Sequence, residues 1–159
     1  MNIEIRPIKE EEMTEALDLV WRTFLEYEAP DYTEEGIQEF RRSIDDQEWL
    51  NARDFYGAFE DNILKGVMTL KDNNHIALFF VDGKYHRQGI GKKLFIKACE
   101  LNETGTYTVN SSPYARKVYE HLGFEYTDEK QEYHGLIFYP MKNEQIKDYL
   151  IQNKPIIKY

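Results

Sequence analysis

The sequence predicts a mixed α+β fold, and three observations predict it. An acidic N-terminal stretch carries apolar residues at helical spacing, two aromatic and β-branched runs meet across a short polar turn, and an apolar strand leads through a glycine-rich loop into a further helix. The 159 residues, 42% hydrophobic and 14% aromatic, suit one compact domain with a real core. A single domain is expected over residues 1–142, with 143–159 as a C-terminal extension whose short helix packs on it.

Ile3 and Ile5 alternate with polar neighbours up to Pro7 and read as a short strand. Met13, Ala16, Leu17, Val20, Trp21 and Phe24 then share one helix face, and Pro30 ends that helix. Thr33 is placed to cap a second helix with the narrow stripe Ile37, Phe40 and Ile44. Phe55 to Phe59 and Ile63 to Leu70 form a hairpin across Glu60-Asp61-Asn62, without the usual glycine. Ile76 to Val81 is apolar throughout, bounded by Asp72-Asn73-Asn74 and Asp82-Gly83, and reads as a central strand covered on both faces.

From Gly89 the period becomes helical, with Ile90, Leu94, Phe95, Ala98 and Leu101 on the buried side, until Gly105 and the strand Tyr107 to Val109. Ser111 or Ser112 is placed to cap the next helix, with Pro113 in its first turn. That helix carries Ala115, Val118, Tyr119 and Leu122 until Gly123 stops it. Strands follow at Phe124 to Thr127 and Tyr133 to Met141. A last helix within Glu144 to Tyr159 turns Ile146, Tyr149 and Leu150 inward.

The formal net charge of −9 argues against a general nucleic-acid binder, which presents a basic face to phosphates. Carboxylates crowd the first third, from Glu10 to Glu48, while Lys84, His86, Arg87, Lys92, Lys93 and Lys97 make one basic island. Cys99 is the lone cysteine, so no intrachain disulfide or cysteine-based zinc cluster can form, and a reducing compartment fits. The N-terminus has no basic region followed by an apolar run, and no stretch reaches the roughly 18 apolar residues of a membrane span. The cytoplasm is the expected location. His75, His86, His121 and His134 are scattered with no helical His-Glu-x-x-His pair, and no metal is expected.

Chemistry concentrates at His86 to Lys92. Where a strand gives way to a helix, the N–H groups of Gln88 to Lys92 fall at the end that leaves its donors unpaired, and such an end attracts anions. Gly89 and Gly91 remove side chains from the approach, and Arg87, Lys92 and Lys93 add positive charge. A diphosphate is the expected occupant. The loop is no Walker A motif, because Lys93 stands where a hydroxyl is required. It is no dinucleotide fingerprint either, because Leu94 stands at the third glycine and the next strand ends at Asn110.

The stretch His86-Arg87-Gln88-Gly89-Ile90-Gly91 resembles the strand-following Arg/Gln-x-x-Gly-x-Gly/Ala motif of the GCN5-related N-acetyltransferases, with histidine at the first position. Asn110-Ser111-Ser112-Pro113-Tyr114-Ala115 and Tyr119-Glu120-His121-Leu122-Gly123-Phe124 resemble that family's second cofactor-binding helix and its Tyr-x-x-x-Gly-Phe ending. The order of elements matches from Ile3 to about Met141.

The resemblance implies a twisted, mostly antiparallel mixed sheet flanked by helices, with a V-shaped splay between two central parallel strands. It implies acetyl-CoA as acyl donor and a primary amine that attacks the thioester directly, with no covalent enzyme intermediate. Acetyl-CoA would be held by the backbone at Phe80 and Val81, by His86, Arg87, Gln88, Gly89, Ile90, Gly91 and Lys92, and by Asn110 and Ala115. Tyr119 would protonate or hydrogen-bond the leaving thiolate. Cys99 is then a buried thiol and no nucleophile.

A base is required, because an amine of pKa near 10.4 is neutral only about once in 2,500 molecules at pH 7. Glu60, His75 and Glu28 are candidates. The acidic helices border the acceptor site in this family, which favours a cationic acceptor such as a polyamine, an aminoglycoside or a protein lysine; a protein N-terminus is a further candidate. Edge strands and the aromatic C-terminus suit a homodimer. Two other readings stand: a non-catalytic acyl-CoA-binding sensor with the same fold, and an interaction module whose loop is only a turn.

Overall fold

The computed structural model describes residues 2–153. Strand β1 (Glu4–Pro7) is followed by helices α1 (Met13–Tyr27), α2 (Glu34–Asp45) and α3 (Gln47–Asn51), then strands β2 (Asp54–Glu60), β3 (Ile63–Lys71) and β4 (His75–Val81). Helix α4 (Ile90–Leu101), β5 (Tyr107–Ser111) and α5 (Arg116–His121) lead to β6 (Glu125–Tyr126), β7 (Gln131–Tyr133), β8 (Leu136–Asn143) and α6 (Ile146–Gln152). The sheet runs β1-β2-β3-β4-β5-β8-β6, with β7 also on β8, and every pairing is antiparallel except β4 with β5. The mixed, mostly antiparallel architecture is the expected one.

Local chemistry sets these boundaries. The Tyr27 turn ends α1 just before Pro30, Thr33 Oγ1 accepts from the Gly36 N–H, and Asp46 accepts from Glu48 and Trp49 to start α3. The sequence predicts two helices here, and the structure adds this short third one. Asp61 and Asn62 take positive φ in the β2–β3 turn, as do Asp72 and Asn73 between β3 and β4. Short polar side chains tolerate that conformation, so both hairpins close without glycine.

Helices α4, α5 and α6 cover one sheet face, where Met68, Leu94, Phe95, Tyr107, Phe124 and Ile146 are buried. Helices α1 to α3 cover the other, where Leu19, Phe24, Leu50, Val67, Leu78 and Phe80 are buried. Strand β4 changes sides within itself. Thr69 pairs with Leu78 and Leu70 with Ile76, leaving Ala77 unpaired as a bulge, so Ile76 packs in the first layer and Leu78 and Phe80 in the second. The Leu78 N–H donates to the buried Thr69 hydroxyl at 3.0 Å, which satisfies the donor that the bulge frees.

Several expectations are corrected. The run Tyr133 to Met141 is split by a turn at His134 and Gly135, both at positive φ, which makes β7 a separate strand paired to β8. Leu101 is 50% exposed, and Cys99 takes the buried position in its stead. Strand β4, by contrast, is covered on both faces as expected, with Ile76 in the first layer and Leu78 and Phe80 in the second, while His75, Ala77, Phe79 and Val81 are part-buried. Ser112 Oγ accepts from the Ala115 N–H at 3.2 Å, and regular helix begins only at Arg116. Val118 is exposed on it. In α6, Ile146 is buried, Tyr149 and Leu150 pack against the core, and the Tyr149 ring meets Phe95 at 5.5 Å. The remaining tail, 154–159, lies outside the described residues.

Candidate active site

The turn after β4 is anchored before the loop begins. The Asp82 carboxylate accepts from the Lys84 N–H at 3.1 Å and from the α1 residue Arg22 at 2.9 Å. Burial works against its charge, yet these donors hold the carboxyl below the usual range. His86 Nε2–H donates to the Val81 carbonyl at 2.7 Å, and its ring lies 4.7 Å from that of Tyr27. The first residue of the loop motif thus tethers the loop to its own strand.

Arg87 (φ 64°) and Gly89 (φ 77°) both turn through the left-handed region to bring the chain into α4. A Cβ on Gly89 would meet nothing within 4 Å, so backbone conformation is what requires glycine there. A Cβ on Gly91 would touch the Phe79 ring at 3.5 Å, an ordinary contact. The N–H groups of Gln88, Gly89, Ile90, Gly91 and Lys92 find no backbone acceptor among the described residues. The first helical bond is Lys93 N–H to the Gly89 carbonyl, at 3.1 Å. These five donors lie at the positive end of a twelve-residue helix.

A second set of free donors lies along β4. Its parallel pairing with β5 stops at His75↔Thr108 and Ile76↔Val109, after which the strands part. The N–H groups of Leu78 and Asp82 both turn to β3, bonding Thr69 Oγ1 and the Lys65 carbonyl. With a period of two, Phe79 and Val81 turn theirs to the vacated side. Phe80, which the resemblance implies as a cofactor contact, borders both cavities but turns its N–H to β3, whereas its neighbours Phe79 and Val81 carry the outward N–H groups.

Two cavities meet at this splay. One, of about 560 Å³, is bordered by Tyr27, Val81, His86, Arg87, Gly89 and Gly91. The other, of about 480 Å³, opens on the opposite side and is bordered by Phe40, Trp49, Arg53, His75, Asn110 and Phe138. Glu28, Phe79, Phe80, Ala115 and Tyr119 border both. Of the residues expected to hold cofactor, Ile90 also lines the first cavity, Asn110 lines the second, and Gln88 and Lys92 are exposed outside both linings.

Electrostatics single out two groups at the junction. Burial pushes the Glu28 carboxyl up to about 7, with the charge of Asp31 adding and the Ser112 hydroxyl opposing. Burial, then the charge of Glu28, pushes the Tyr119 phenol well above its ordinary range. The Tyr119 ring is 5% exposed and meets Phe79 and Phe124 edge-on at 6.0 and 5.5 Å, so it serves the core as well as the junction.

The other candidate bases are occupied. Glu60 is paired with Lys65 and held low by it, and it lies on neither cavity. His75 Nδ1 lies 2.8 Å from Thr108 Oγ1, and burial followed by the charge of Arg53 lowers its pKa. Of the acidic first third, Glu28 and Glu39 are the carboxylates that border the second cavity, and Glu39 is paired with Arg42. Sequence reasoning missed Phe79 and Asp82. The Asp-Gly following the strand was the available signal for Asp82, whereas the bulge that directs Phe79 left none. Burial pushes the Cys99 thiol up to about 12, as suits a core residue. Among the described residues no helix is long and apolar enough to cross a membrane, and no group of three His, Cys, Asp or Glu could hold a metal ion.

The model of the Acetyltransferase (GNAT) domain family matches residues 28–145. A GCN5-related N-acetyltransferase from Rhodopseudomonas palustris is similar in structure with a TM-score of 0.79 at 19% identity, over 90% of this chain and 96% of that one. The PaiA N-acetyltransferase from Thermoplasma acidophilum, solved in complex with coenzyme A, gives 0.73 at 22% identity, over 90% and 99%. A GNAT family acetyltransferase from Elizabethkingia anophelis with acetyl-CoA bound gives 0.61 at 18% identity, over 90% and 98%. No curated protein matches in sequence.

Proposed function

The chain belongs to the Acetyltransferase (GNAT) domain family of acyltransferases, and on that premise we propose that it transfers the acetyl group of acetyl-CoA to a primary amine by direct attack in a ternary complex. The observation that carries the reading is the meeting of two cavities at Glu28 and Tyr119.

The first cavity fits an acyl-CoA. The free N–H groups of Gln88, Gly89, Ile90, Gly91 and Lys92 receive the diphosphate, with Arg87 adding charge and His86 fixing the loop. Val81 and Phe79 offer N–H groups to the pantetheine amides as an added strand would, beside Phe80 and Ala115. The Phe79 N–H lies nearest the junction and is suited to the thioester oxygen as negative charge develops there. Asn110 serves from the far side of the splay.

The second cavity takes the amine. Glu28, poised at about 7, removes a proton from the bound ammonium. Tyr119 remains a neutral phenol at any working pH and donates a hydrogen bond to the departing thiolate, which is too weak a base to take that proton outright and receives instead the second proton that the amine nitrogen loses as the bond to sulfur breaks. The same reading takes residues 1–142 as one catalytic domain with 143–159 as its extension, in the cytoplasm, as a homodimer. Release of free thiol from acetyl-CoA in the presence of a panel of primary amines tests the proposal. Turnover with at least one amine is expected. Coenzyme A binding without turnover across the panel would favour a non-catalytic sensor.

A further inference from the structure

Glu28, Glu39 and Arg53 are the charged residues on the lining of the second cavity, and only Glu28 is used by acyl transfer. Arg53, at the start of β2, donates one N–H to the Trp49 carbonyl at 2.7 Å and lays its guanidinium 3.6 Å over the Trp49 ring. Its Nε is buried and has no hydrogen-bond partner, and no carboxylate lies within ion-pair distance of it among the described residues. Burial lowers its pKa, with only the more distant charge of Asp72 opposing. The Nε itself is shut off from the cavity, but Arg53 as a whole is part-buried and lines it, so a guanidinium with no carboxylate partner is available there to an anion. His75 beside it is held neutral and Glu39 is paired with Arg42, so neither supplies that anion.

We propose that Arg53 anchors the carboxylate of the acceptor, which is therefore an amino acid or short peptide whose amine reaches Glu28 while its acid end reaches Arg53. This rests on the acyl-transfer reading and sharpens the expected cationic acceptor into a zwitterionic one. The guanidinium fork matches a carboxylate, and Phe40, Trp49 and Phe138 on the same lining favour an apolar body. The register sets the length. Asp54 pairs with Leu70 and Leu70 with Ile76, which puts Arg53 level with His75, whereas Tyr119 packs on Phe79. Because Ala77 is bulged out, the interval from His75 to Phe79 covers three ladder positions, about 10 Å of strand, and Arg53 stands two strands to the side of it. An interval of that order is spanned better by a dipeptide, a tripeptide or an ω-amino acid than by a free α-amino acid.

Matched pairs that differ only in the carboxylate test this: 6-aminohexanoate against hexylamine, and Gly-Phe against its C-terminal amide, each with acetyl-CoA. In the wild type kcat/KM for the acid should exceed that for its partner by about tenfold or more, through KM. The ratio should collapse towards one in Arg53→Met, with Arg53→Lys intermediate, because lysine keeps the charge and loses the fork. A ratio near one in the wild type overturns the proposal even if the variants do not fold, as does a ratio that survives in folded Arg53→Met. Failure of acyl transfer itself reads differently: no thiol is released with any amine. Calorimetry of the same pairs on the coenzyme A-loaded protein then decides. Acid-selective binding lost in Arg53→Met upholds the anchor, and equal binding of acid and partner overturns it.

Discussion

Glu28 at the end of α1 and Tyr119 on α5 border the same two cavities, and the charge of the first adds to burial in raising the phenol of the second. The pair joins a group that gains a proton near neutral pH to one that never loses it. Removing the hydroxyl from the second separates catalysis from packing. Tyr119→Phe should lower kcat about a hundredfold while the affinity for coenzyme A stays within about twofold. Its ring contacts with Phe79 and Phe124 survive, so stability should change by less than about 1 kcal/mol. Steady-state thiol release, calorimetry and thermal unfolding check the three parts, and unchanged turnover would remove Tyr119 from the mechanism.

Glu28 makes opposite predictions for activity and stability. As the base it must be ionised, so kcat should rise with pH through about 7 in the wild type, and this limb should vanish in Glu28→Gln along with most of the rate. A carboxyl raised by folding contributes its stability below the ordinary value of 4.5 and loses it as pH rises to about 7. Above pH 7 the glutamine variant should therefore be more stable than the wild type, by roughly 2 kcal/mol after allowance for partial exposure, and below pH 4 the gap should close. Denaturant melts across that range measure it.

The bulge in β4 rests on one hydroxyl. Thr69→Val keeps the shape but leaves the Leu78 N–H buried without an acceptor, which should cost about 1 to 3 kcal/mol. Because Ala77 sets which way Phe79 and Val81 point, coenzyme A affinity should fall with it. A melt and a binding titration on the same preparation check both.

The two loop glycines should respond differently to alanine. At Gly89 the positive φ makes any side chain cost about 1 to 2 kcal/mol. At Gly91 the added methyl meets Phe79 at ordinary contact distance and should be nearly neutral. Equal losses at the two positions would mean that packing against β4 governs Gly91.

The loop was legible because its logic is local: glycines, basic residues and a helix start lie within seven positions, from His86 to Lys92. Hairpin turns were equally legible, since Asp61 and Asn62 carry their own conformational preference. Strand β4 was not. An uninterrupted apolar run hides the residue at which it changes sides, and Ala77 differs from its neighbours only in the pairing of β3. Leu101 was misplaced for a related reason: Cys99 is as apolar in a core as leucine, so the helical stripe could be drawn through either. Glu28 could be named as a base candidate but not chosen, because Ser112 and Tyr119, which face it across the junction, come from elements distant in sequence. Arg53 gave no signal at all; its lack of a partner exists only in three dimensions.

An amide NMR titration with coenzyme A tests the central claim, that the donors of the loop and of splayed β4 together hold the acyl donor. The largest shifts should fall on the N–H groups of Gln88, Gly89, Ile90, Gly91 and Lys92, with Phe79 and Val81 moving at the same ligand concentration. Binding that leaves these seven amides in place while others move would contradict the account.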